Sequence, residues 1–94
     1  MSECSLQTNV IKYLRSVGAY AINIHGDEFQ AGVPDVIACY KGRFLGLELK
    51  APNGQLSKLQ KRNLQKIQKA GGIAEEVRSL EKVRTIIKAI DNDS

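Results

Sequence analysis

The chain has 94 residues, 43% of them hydrophobic, with a net charge of +4 and a pI near 9.2; that length bounds it to one domain, 1–94, with a modest core. No apolar run approaches the length of a membrane-spanning helix, and Met1 leads into a polar amphipathic stretch, so neither a membrane span nor a secretory signal is expected. Residues 1–70 carry ten basic and five acidic side chains, against four and five in 71–94, so the basic excess lies where a polyanionic partner would be met.

In chain order, Ser2 to Val17 reads as a helix. Leu6, Val10, Tyr13, Leu14 and Val17 recur at helical spacing, Ser2 is a candidate N-cap, and Gly18 can end the helix. Glu3 falls in the middle of that apolar stripe and has two readings. It complements the helix dipole as a first-turn acid, or it points inward and joins a site. Ala19 to His25 reads as a strand with Tyr20, Ile22 and Ile24 on one face. A polar loop follows to Gly32, and its Asp27 and Glu28 are assigned no role. His25, the single histidine, reads as a structural or solvated residue at a strand end. Cys4 and Cys39 lack metal-ligand spacing and read as reduced thiols of a cytosolic protein.

Pro34–Tyr40 and Arg43–Lys50 are two strand-like runs joined by a turn at Lys41–Gly42. Ala51-Pro52-Asn53-Gly54 is a turn signal that ends the second run. Ser57 to Ala70 reads as a helix capped by Ser57 and stopped by Gly71–Gly72, with Leu56, Leu59, Leu64, Ile67 and Ala70 as its apolar stripe. Lys58, Lys61, Arg62, Lys66 and Lys69 occupy the other side with no acid among them. Such a run is usually a solvated face, yet five like charges without a partner are costly on a helix, so phosphate contacts by some of them are a reasonable expectation. Gln60 lies inside the stripe and either bonds a loop at its edge or meets a polar cluster. Gly72 to Arg78 reads as a last strand, Leu80 to Ile90 as a last helix, and 91–94 as a frayed polar tail. The order α-β-β-β-α-β-α predicts an α/β fold, a central mixed sheet flanked by helices.

The two middle runs carry charge where buried strands should have none. Residues two apart on a strand share a face at about 7 Å separation. Glu48 and Lys50 therefore lie with Gly46, while Leu45, Leu47 and Leu49 fill the other face. In an antiparallel hairpin, Asp35 comes close to the end of the second strand, away from the turn. Two carboxylates on an apolar sheet repel each other and lose water. A divalent cation relieves both, and hard oxygen ligands suit Mg²⁺ or Mn²⁺. A plain ion pair of Lys50 with Glu48 or Asp35 is the competing reading.

Gly32-Val33-Pro34-Asp35, twelve residues, then Glu48-Leu49-Lys50, with Glu3 on a preceding helix and Gln60 on a following one, resembles the PD-(D/E)xK nuclease superfamily. It looks most like the VRR-NUC family, the virus-type replication-repair nuclease domain, over roughly residues 3 to 78. The resemblance implies a restriction-endonuclease-like core and a metal-dependent DNA endonuclease that hydrolyses phosphodiester bonds. It assigns Mg²⁺ or Mn²⁺ to Asp35, Glu48 and the main-chain carbonyl of Leu49, with Glu3 reaching the metal through water. Lys50 would steer the attacking water or act as base, and Gln60 would orient Lys50 or the substrate. Lys58, Lys61, Asn53 and Gln55 would contact DNA. Small members of the family resemble Holliday-junction resolvases, which implies structure-selective cutting of a four-way junction. A homodimer would match that symmetry. The implied location is the cytoplasm of a bacterial or phage-infected cell. Two alternatives stay open: a nicking or flap nuclease acting with a helicase, and a non-catalytic nucleic-acid-binding module.

Overall fold

A two-residue turn sets the register of the central strand pair. In the computed structural model, which describes residues 3–24 and 32–93 with side chains from residue 5 onward, Lys41 and Gly42 both have positive φ, 49° and 80°. That is the geometry of a tight hairpin turn whose twist matches its strands. It joins β2 (Val36–Tyr40) to β3 (Arg43–Leu49), antiparallel, with Tyr40 opposite Arg43 and Val36 opposite Leu47. β1 (Tyr20–Asn23) pairs antiparallel with β2, and β4 (Ile73–Val77) pairs parallel with β3, giving one mixed sheet in the order β1-β2-β3-β4.

The parallel pairing needs a crossover, supplied by α2 (Lys58–Lys69). Ser57 caps that helix as expected: its hydroxyl accepts from the Gln60 N–H at 3.1 Å, and the Gln60 side chain accepts from the Ser57 N–H at 2.8 Å. The other end closes with Gly72 N–H to Ile67 O and Gly71 N–H to Gln68 O, the paired bonds of a Schellman stop. α1 (Glu3–Ser16) and α3 (Leu80–Asp93) cover the opposite face of the sheet. Between them lies the main core of Leu6, Val10, Leu14, Val36, Leu45, Leu47, Leu49, Val77 and Val83, all nearly sealed from solvent. Each such aliphatic side chain contributes about 1.5–3 kcal/mol by leaving water. The fold is thus three-layered, helix pair on sheet on helix.

α2 comes close to the sheet because glycine lies beneath it. A Cβ on Gly46 would stand 2.8 Å from Ile67 Cδ1, and one on Gly32, at φ +84°, 2.6 Å from Asn63 Nδ2 and 2.7 Å from Leu59 Cγ. Gly32 therefore serves twice, as a left-handed backbone position and as the seat of a helix turn.

Three features differ from the sequence pattern. The apolar alternation Tyr20–Ile22 faces outward, with Tyr20 72% exposed, while Ala19 and Ala21 are buried. Small residues there let α1 lie against β1, and Arg15 Nη2 donates to Ala21 O at 3.1 Å. Within the α2 stripe only Leu64 is buried, and Leu59 is 45% exposed. The tail is not frayed through 93: α3 runs to Asp93 because Tyr40 and Lys41 donate to Asp91, both at 2.7 Å, and Arg43 donates to Asp93 at 2.5 Å. The expected N-cap Ser2, the Glu3 and Cys4 side chains, His25 and the loop to Ala31 lie outside the described residues. Cys39 is a free thiol, exposed because among the described residues no helix covers this part of the α2 face, where Tyr20 and Ile22 of β1 and Phe44 of β3 also meet solvent.

Candidate active site

The hairpin brings the sequence-predicted acids together. One step beyond Val36–Leu47, the register sets Asp35 across from Glu48, at the open end of the hairpin. The backbone supports Asp35 from both neighbours. Its carbonyl accepts from the Ile24 N–H at 2.8 Å, and its Oδ2 accepts from the Leu49 N–H at 2.9 Å. The second bond ties the carboxylate to the end of β3, the strand that carries Glu48.

Glu48 is the one buried charged residue among those described, 1% exposed, on the α2 side of the sheet. Its Oε1 is sealed from solvent, and the residue has a polar contact within the protein. A carboxylate in such a place is costly unless charge or hydrogen bonds offset it. The strand alternation that puts Leu45, Leu47 and Leu49 in the main core is what turns Glu48 the other way.

Lys50 follows two residues later on the Glu48 face and is half-buried. Its N–H donates to Val77 O at 3.0 Å, which continues the parallel pairing past the strand end. A Cβ on Gly54 would touch Lys50 Cδ at 3.4 Å, so the loop after the strand folds back along the lysine stem.

Gln60 is half-buried in the first turn of α2 and bonds the end of the preceding loop, the first of its two sequence readings. Its Oε1 is committed to the helix cap with Ser57, one half of a capping box. The signal was local: Ser57-Lys58-Leu59-Gln60 has the S-x-x-Q form of that box. Lys58, Lys61, Asn53 and Gln55 are all exposed. Lys58, Leu59 and Arg62 line a shallow hollow at the start of α2. Glu3 opens α1, and its side chain lies outside the described residues.

Two residues escaped the sequence reading. The parallel register sets Glu76 of β4 directly beside Glu48. Arg78, two residues on, pairs with Glu76 and donates through Nη1 to Ala51 O at 2.8 Å and Pro52 O at 3.2 Å. Their one sequence signal is the Glu-x-Arg spacing at a strand end, which gives no hint of the loop they reach.

Asp35 and Glu48 fit a hard divalent cation. Two carboxylates from adjacent strands, one of them stripped of solvent, supply the oxygen donors and the negative charge such an ion requires. Among the described residues no group of three or more His, Cys, Asp or Glu side chains gathers. Two carboxylates with main-chain oxygen and water are the kind of set that holds Mg²⁺.

The model of the VRR-NUC domain matches residues 4–81, a stretch that contains Asp35, Glu48, Leu49, Lys50 and Gln60. The chain belongs to the VRR-NUC family. It is similar to a solved structure described as a VRR-NUC domain, with a TM-score of 0.78 and 20% identity, covering 94% of this chain and 97% of that one. A second, described as a VRR-NUC domain protein, gives 0.74 and 22%, covering 94% and 86%. At that identity the likeness establishes the shared fold, in keeping with a restriction-endonuclease-like core. A comparison with curated proteins finds no match. VRR-NUC is a nuclease domain family of the PD-(D/E)xK type. No helix among the described residues of this VRR-NUC domain is long and apolar enough to cross a membrane.

Proposed function

We propose that the domain is a Mg²⁺- or Mn²⁺-dependent DNA endonuclease, structure-selective, with a four-way junction as its preferred substrate. The observation that carries the catalytic part is the solvent-sealed Glu48 set across from Asp35, with Lys50 on the same face. Asp35, Glu48 and the Leu49 carbonyl would hold one ion. When bound, that ion lowers the pKa of water and polarises the scissile phosphate.

The remaining work belongs to the chain. Asp35 is pre-oriented by the Leu49 N–H, so its carboxylate needs little reorganisation on loading. Lys50 directs the attacking water and stabilises charge growing on the phosphorane, or takes the water's proton. Gln60 offers its amide NH₂ to Lys50 or the substrate, its oxygen being committed to Ser57. Glu3 is the further acid of the family pattern. Lys58 and Lys61, exposed in the first turn of α2, contact phosphates, with Asn53 and Gln55 beside them on the preceding loop.

A C₂ homodimer matches the two equivalent cleavage points of a junction. The uncovered apolar surface of Tyr20, Ile22 and Phe44 supports that assembly. Sedimentation that finds only monomer at micromolar concentration removes this step.

The test is digestion of a panel of junction, flap, duplex and single-stranded DNAs with and without Mn²⁺. Junctions should be cut fastest, and Asp35→Ala or Lys50→Ala should abolish cleavage while the circular dichroism spectrum is retained. Either purified variant cutting at the wild-type rate refutes the site. Preference for flaps favours action beside a helicase, and binding without cleavage favours a binding module.

A further inference from the structure

We propose that Arg78 is a positioning residue that sets the direction of Lys50 by clamping the loop behind it. The inference rests on Lys50 belonging to the proposed nuclease site. Arg78 reaches two consecutive main-chain carbonyls of that loop, Ala51 O at 2.8 Å and Pro52 O at 3.2 Å, through one nitrogen. Its Nε and Nη2 are held by Glu76 on the same strand. The guanidinium is thus fixed on one side and used on the other, a fork geometry that a lysine ammonium lacks.

The clamped loop is a tight one. Gly54 N–H donates to Ala51 O at 2.9 Å, so the carbonyl that Arg78 holds is also the one that closes the turn. Closing the turn lays Gly54 along Lys50: a Cβ there would stand 3.4 Å from Lys50 Cδ and 3.3 Å from Ala51 O. On the other side, the Lys50 N–H is fixed to Val77 O, one residue before Arg78. Main chain and stem of Lys50 are therefore both referred to the end of β4. Glu76, which anchors Arg78, sits beside Glu48 in the parallel register, so the clamp is built on the same row of the sheet as the acid. Its charge is neutralised by Arg78, which keeps a further bare carboxylate away from the Asp35–Glu48 pair.

A catalytic group displaced by about 1 Å loses on the order of a hundredfold in rate. Arg78→Ala and Arg78→Lys should both lower kcat on the best-cut DNA by about ten- to a hundredfold, with KM changed by less than about twofold. Glu76→Gln, which leaves the clamp but loosens its anchor, should lower kcat by less. In metal-free protein, amide hydrogen exchange at Gly54 should accelerate in both Arg78 variants, while the β2–β3 amides keep their protection. Full kcat in Arg78→Lys overturns the proposal, because a counter-charge to Glu76 would then suffice. A rise in KM with kcat unchanged overturns it in favour of a DNA contact. Unaltered Gly54 exchange in both Arg78 variants also overturns it. A wild-type protein that cuts no nucleic acid refutes the nuclease reading and this inference together. Wild-type cleavage that the Arg78 variants leave untouched refutes this inference alone.

Discussion

Replacing Gly32 by alanine tests how α2 is seated against the backbone that leads into β2. A Cβ there would lie 2.6 Å from Asn63 Nδ2, 2.7 Å from Leu59 Cγ and 3.1 Å from the Leu59 carbonyl carbon, at φ +84°. An L side chain at positive φ costs about 1 kcal/mol or more. Forcing a methyl into a packed contact adds roughly 1–3 kcal/mol, and the nearest atoms here include helix backbone, which cannot swing aside. The sum is about 2–4 kcal/mol out of roughly 5–15 for a domain of this size. At 4–8 °C per kcal/mol, the melting temperature should fall by about 8–30 °C. Gly18 is the internal control: its φ is +92°, but a Cβ there meets nothing within 4 Å. Gly18→Ala should therefore show only the conformational cost, about 1 kcal/mol. Equilibrium urea unfolding of both variants measures the difference directly. If the two agree within about 0.5 kcal/mol, the usual error of such comparisons, α2 does not rest on Gly32 and the account of how that helix is seated fails.

Other outcomes follow from the same geometry. Ser57→Ala removes the cap and half of the box with Gln60, and should cost about 1 kcal/mol in urea unfolding; no loss would mean the cap is not formed. Lys58→Ala with Lys61→Ala should weaken DNA binding for all sequences alike and flatten its salt dependence by about one unit per lost phosphate contact, measured by titration in Ca²⁺; an unchanged slope places the DNA elsewhere. The hydrogen bonds from Lys41 and Tyr40 hold the Asp91 carboxyl below its ordinary 3.8. A lowered carboxyl stabilises the fold above its unfolded pKa, and that contribution is lost as pH falls through the folded value. The stability gap between wild type and Asp91→Asn should therefore be full near neutrality and shrink below roughly pH 4; a gap that widens in acid contradicts the assignment. The bond to Asp91 also holds Lys41 above its ordinary 10.5, so its contribution is full below that value and fades as pH rises through the folded one.

How far the sequence could be read depended on how local the signals were. The hairpin, its turn and the α2 caps were legible because each is written within a few residues: alternating leucines, Lys41–Gly42, Ser57 and the Gly71–Gly72 stop. The sharing of one strand face by Glu48 and Lys50 followed from the pleat alone. The outward turn of Tyr20 and Ile22 was not legible, because which side of a short strand is buried depends on how closely a helix can approach it. Ala19 and Ala21 settle that by being small, a quieter signal than an aromatic residue. The extra turn of α3 depends on Tyr40, Lys41 and Arg43, some fifty residues away in the chain. The placement of Glu76 beside Glu48 depends on the register of a parallel pair set across a helical crossover, which no local pattern encodes.

The pairing of β2 with β3 serves two masters at once. It lines up Val36, Ala38 and Leu47 for the interior, and in the same stroke sets Asp35 across from Glu48, as the proposed chemistry requires. Because side chains alternate from one residue to the next, a single insertion or deletion in either arm, between the turn and the open end, would swap leucines for acids on both faces. Such a length change would be lethal to packing and to the proposed site alike, so drift in this domain can alter residues along those arms but not their number.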